Sequence, residues 1–170
     1  GISNASAYPL YTSSEGGYVV GVNGYGDKVK AQEFQVTNGY DVEGFLIWGG
    51  AKEVVGSSDM LLAALYEMNG TGNSTGGSTD APGTLAASVE IDVETELDTS
   101  GNYTLAMFPS PMPREEGEDY ALGIDLTDMD DTVGIISCAD GDAQMTELSW
   151  EKWSDDSWHT FAESWVLDID

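Results

Sequence analysis

Positive charge is what this sequence has least of. Five Lys and Arg stand against 31 Asp and Glu, a formal net charge of −26. Nucleic-acid affinity rests on cations that displace counterions from phosphates, so DNA and RNA are excluded as natural partners. Anionic membrane surfaces are disfavoured on the same ground. Cysteine is nearly absent too. Cys138 is single, so no intramolecular disulfide can form, and it lies in the apolar run 133–138, where a lone thiol acts as a small buried hydrophobe. His159 is the only histidine, which rules out multi-histidine zinc sites and routes any Ser-His-Asp arrangement through one residue. No stretch approaches the roughly 20 apolar residues that a membrane-spanning helix needs, so membrane insertion is not expected.

What the chain does have is glycine and short β-rich runs. Its 21 glycines in 170 residues disfavour long helices and favour tight turns. Runs of β-branched and aromatic residues bounded by turn formers read as strands at 17–22, 32–37, 41–48, 84–93, 103–108, 120–126, 132–137, 144–153 and 158–162. Asn38-Gly39 between the second and third reads as a hairpin turn. Leu61–Met68 fits a short helix or a strand buried on both faces, and is assigned as strand. Residues 69–83, rich in Gly, Ser, Thr and Asn, read as a long polar loop. Pro109, Pro111 and Pro113 lack ladder donors and mark an edge or crossover. About nine or ten short strands without a helix predict an all-β fold, an antiparallel β-sandwich or jelly roll. Residues 1–16 are expected to be an N-terminal extension and 17–170 a single sandwich domain.

Particular stretches carry a family resemblance. Glu67-Met68-Asn69-Gly70-Thr71-Gly72, followed after a spacer by Ala81-Pro82-Gly83-Thr84-Leu85-Ala86-Ala87-Ser88, resembles a pattern in exported bacterial β-sandwich domains. Those domains occur in cargo proteins that carry C-terminal type IX secretion sorting domains. The stretches 44–55 and 150–158 are similar to the same modules. The resemblance implies a jelly-roll-like fold and an extracellular or cell-surface location, with the chain one module of a longer exported protein. It implies no catalytic residues.

Three constellations are candidates for chemistry. Trp150, Trp153 and Trp158 lie close together, with Trp165 beyond, and exposed indoles would make a stacking platform for glycans; the alternative is core burial and cross-hairpin pairing. Asp125, Asp128, Asp130 and Asp131, with Asp140 and Asp142 after the next strand, offer oxygen ligands for calcium, although the second group breaks the EF-hand pattern at Met145. Glu90, Glu94 and Glu96 recur at even spacing, an arrangement to weigh against the carboxylate pair of a glycosidase, but along an extended strand they read as one solvated face. The expectation is a non-catalytic extracellular accessory module needing no cofactor, with calcium as an optional ion. Its partners are expected to be glycans, a secreted or cell-surface protein, or other domains of the same parent. The alternatives are a carbohydrate-binding module and a small carboxylate-based glycosidase.

Overall fold

The computed structural model describes residues 18–21, 26–57, 59–127, 129–137 and 148–161. They form an all-β fold of several sheets with no closed barrel, as the strand pattern predicts. The strands are β1 (Tyr18–Gly21), β2 (Val29–Phe34), β3 (Tyr40–Ile47), β4 (Gly49–Glu53), β5 (Met60–Glu67), β6 (Gly70–Ser74) and β7 (Gly77–Ala81). The rest are β8 (Leu85–Asp92), β9 (Thr104–Arg114), β10 (Tyr120–Asp125), β11 (Thr132–Ser137), β12 (Ser149–Lys152) and β13 (Trp158–Thr160). An eight-stranded sheet runs β7-β6-β13-β12-β2-β10-β5-β8; a three-stranded sheet runs β1-β11-β4, and β3 pairs with β9 as a ribbon. All pairings are antiparallel except β13 with β6.

The central strand β5 explains its own ambiguous sequence. Leu61 and Ala63 enter one core cluster with Ile47, Ile91, Ala106, Ile124 and Val133, which gathers residues from all three sheets. Ala64 and Tyr66, on the opposite face, join Val29, Ala31, Ala81, Ala121, Trp150 and Trp158. A strand buried on both faces has no polar side to alternate with, so its run of apolar residues resembles a helix segment. A third cluster, with Val36, Val42, Leu65, Phe108 and Tyr120, continues the packing between β5, β10 and the ribbon.

Two expectations are corrected. Asn38-Gly39 does not close a hairpin: β2 pairs with β10 and β12, whereas β3 crosses to β9. Residues 69–83 are not a loop but the hairpin β6–β7, in register from Gly70↔Ala81 to Ser74↔Gly77. This hairpin returns toward β5, where Gly83 N–H donates to the Glu67 carbonyl (2.8 Å) and Glu67 N–H to that of Thr84 (2.9 Å). The curl leaves a cleft between the hairpin and the ends of β2, β12 and the β9–β10 loop.

Candidate functional site: an acidic cleft

The cleft measures about 750 Å³, and its walls include Glu33, Glu67, Asp80, Glu118, Asp119 and Trp150. Glu33 is delivered by β2, Asp80 by β7 and Trp150 by β12, while Glu118 and Asp119 stand just before β10. Each carboxylate has a distinct setting. Glu67 is clamped by Arg114, whose Nη1 and Nη2 donate to its two oxygens at 2.7 and 2.9 Å. The bidentate pair holds the Arg114 guanidinium above its ordinary range. Asp119 accepts the Val36 N–H at 2.8 Å, and Glu118 that of Glu115 at 2.8 Å.

Glu33 is the perturbed member. Burial pushes its carboxyl above the usual range; the Trp150 indole N–H, donating at 2.9 Å, acts in the opposite direction, and the charges of Asp119 and Asp80 push it up further. The molecule's cations are spent locally. Lys30 is buried between Asp27 and Glu151 (2.6 and 2.7 Å), and Lys28 and Lys152 share Asp156. Lys52 donates to the carbonyls of Val93, Glu94 and Leu97 at 2.6–2.9 Å, and Arg114 is engaged with Glu67.

The tryptophans expected as a platform are placed otherwise. Trp150 and Trp158 are only 1% and 7% exposed, because both fill the core cluster on the β5 face. Trp158 packs edge-on against Tyr66, with centroids 5.8 Å apart. Neither ring offers a face to a glycan, which corrects the platform expectation for these two. Trp153 is half-buried; its indole donates to Glu151 at 2.7 Å and one face is covered by the His159 ring at 3.4 Å and 9°. His159 is itself buried and hydrogen-bonds with Ser157 Oγ at 2.8 Å, so the single histidine is built into the β12–β13 hairpin. Trp165 lies outside the described residues.

Of the aspartates offered as calcium ligands, Asp131 and Asp125 are likewise engaged in the fold. Asp131 is fully buried and its two oxygens accept the N–H groups of Val55 (2.7 Å) and Asp59 (2.8 Å). Asp59 reciprocates by accepting from Asp130 and Asp131 at 2.6 and 2.8 Å, clasping two loops together. Asp125 accepts the Thr127 N–H at 2.9 Å. Burial first, and then the Asp125 carboxylate, hold the Tyr66 hydroxyl well above its ordinary range. Asp130 is exposed. Among the described residues no group of three or more His, Cys, Asp or Glu is arranged for a metal ion. Asp128, Asp140 and Asp142 lie outside the described residues. Glu90, Glu94 and Glu96 do not share a strand face. β8 ends at Asp92, and Glu96 turns back so that its carboxylate accepts the Asp92 N–H at 2.8 Å.

Sequence reasoning did not single out the cleft, since its walls come from positions as far apart as Glu33 and Trp150. Comparison with known proteins finds no matching family model, no matching curated protein and no matching solved structure.

Proposed function

We propose that the chain is a non-catalytic accessory module of an exported protein, and that the acidic cleft is its ligand surface for an amine- or guanidinium-bearing group. The observation that carries this reading is the wall composition. Four carboxylates, those of Glu33, Asp80, Glu118 and Asp119, face a concavity whose one nearby cation, Arg114, is already clamped to Glu67. A concave wall of one sign focuses the field and raises the local concentration of the opposite charge. The carboxylates are spread over separate elements, which suits an organic cation with several N–H donors better than a compact ion. The position of His159 within the hairpin, stacked on Trp153, supports a structural role for that residue.

Titration calorimetry with spermidine, set against a neutral chito-oligosaccharide, tests the reading. Spermidine binding is expected at low salt, and the double substitution Asp80→Asn with Glu118→Gln should weaken it about three- to tenfold, two partly exposed charge contacts being removed. Binding that ignores this substitution, or that is confined to the neutral sugar, removes the cleft as a cation site.

A glycoside-cleaving enzyme is the second reading, and one observation favours it. Burial, with a smaller push from the neighbouring Asp119 and Asp80, raises the Glu33 carboxyl above its usual range, the direction that the acid of a carboxylate pair needs. Reducing-sugar release from a polysaccharide panel, abolished by Glu33→Gln, would establish it and displace the accessory reading.

A further inference from the structure

We infer that the outward face of the β3–β9 ribbon is a docking surface for a protein whose own face is apolar and rimmed by lysine and arginine. The alternation along β9 is strict at its start: Thr104, Ala106 and Phe108 are buried, while Leu105, Met107 and Pro109 are exposed, followed outward by Pro111 and Pro113. Cross-strand register sets Leu46 against Leu105 on the same face, and at the next step Trp48 lies against Tyr103 with ring centroids 5.6 Å apart. Tyr103, Leu105 and Met107 are 52%, 43% and 45% exposed. From Tyr103 to Pro113 the sequence carries no charged residue, although the chain as a whole holds 31 acids. A contiguous uncharged apolar face on so acidic a molecule is a mark of an interaction surface.

The mode and the occupant follow from two further observations. Pro109, Pro111 and Pro113 withdraw three N–H donors from β9, which makes it a poor template for an added strand and leaves its face as the surface for packing. The border of the face is acidic: Asp41 stands opposite Pro113, and exposed Glu43 sits at the bulge between Val42 and Gly44. All five cations of the chain are held in contacts of their own. A second copy docked across a two-fold axis would therefore bring acidic borders and two charges of −26 together. A basic rim around an apolar centre complements both features.

The probe is a short peptide alternating leucine and lysine, compared with its serine–lysine counterpart of equal charge. The parent chain should bind the leucine peptide about tenfold more tightly, a margin that two buried apolar side chains supply. Leu105→Glu with Met107→Glu should erase that preference while far-ultraviolet circular dichroism stays unchanged. Should the glutamate pair not fold, Leu105→Ser with Met107→Ser carries the same expectation. The cleft substitution Asp80→Asn with Glu118→Gln should leave the preference intact. Equal binding of both peptides, or a preference that survives at the substituted face, overturns the inference. So does sedimentation showing the parent to be a dimer that the same substitutions dissociate.

Discussion

Glu33 shows how one residue's surroundings become a measurable pH dependence. In the unfolded chain its carboxyl titrates near the ordinary value of about 4.3. Folding buries it beside Asp119 and Asp80, and the Trp150 hydrogen bond offsets only part of that burial, so the folded pKa is raised. The folded state then holds the proton more tightly than the unfolded state. Its favourable contribution is complete below the unfolded pKa and is lost as pH rises through the folded one. Glu33→Gln keeps an acceptor for the indole and removes the charge. Thermal melts of parent and variant across the acid-to-neutral range should show the variant more stable at pH 7, with the difference vanishing below about pH 4. A variant equally destabilised at both ends would mean that the carboxylate charge is well supported where it sits. Nothing local announces this residue. Between Gln32 and Phe34 it reads as an ordinary strand position, and Trp150, which donates a hydrogen bond to it, arrives 117 residues later.

At the scale of elements, the hairpin β6–β7 is the instructive case. Its sequence, Gly70 to Ala81, holds almost no hydrophobic residue, so a reading by apolar periodicity finds a loop. The main-chain ladder and close approach hold it instead. A Cβ placed on Gly72 would lie 2.7 Å from Ala81 Cβ, 2.8 Å from Trp150 Cζ3 and 3.0 Å from the Trp158 carbonyl. The glycine thus lets a parallel pair form between β6 and β13 over the buried tryptophans. Gly72→Ala is expected to cost about 1–3 kcal/mol by urea denaturation, since core side chains and backbone must both move. A cost near zero would show that the hairpin rides loosely on the sheet. The strands that were legible, such as β10 and β11, are those whose cores supply an apolar pattern. Asn38-Gly39 misled for a related reason. A turn dipeptide reports a change of direction, whereas the pairing partner is chosen by which faces are buried, and β3 turns Val42 and Ile47 toward the space between sheets.

For the whole molecule, charge is the dominant unbalanced quantity. All five cations are held in contacts of their own, Lys28 and Lys152 on the one carboxylate of Asp156 and Lys52 on backbone carbonyls, yet a formal −26 remains and must be held within one compact body. Self-repulsion of that kind destabilises the folded form and extends over the Debye length, about 30 Å at 0.01 M salt and 3 Å at 1 M. Raising sodium chloride across that range is therefore expected to raise Tm, each kcal/mol of relieved repulsion being worth roughly 2–4 °C for a domain of this size. The same experiment separates screening from specific ion binding. Asp131 spends both oxygens on backbone N–H groups and Asp125 is tied to Thr127, so calcium and magnesium at matched ionic strength should raise Tm alike. A calcium-specific gain that grows with concentration as a binding site requires would instead show a specific ion site. Absence of any salt effect would mean that the carboxylates lie far enough apart, or are sufficiently protonated, for the net charge to cost the fold little.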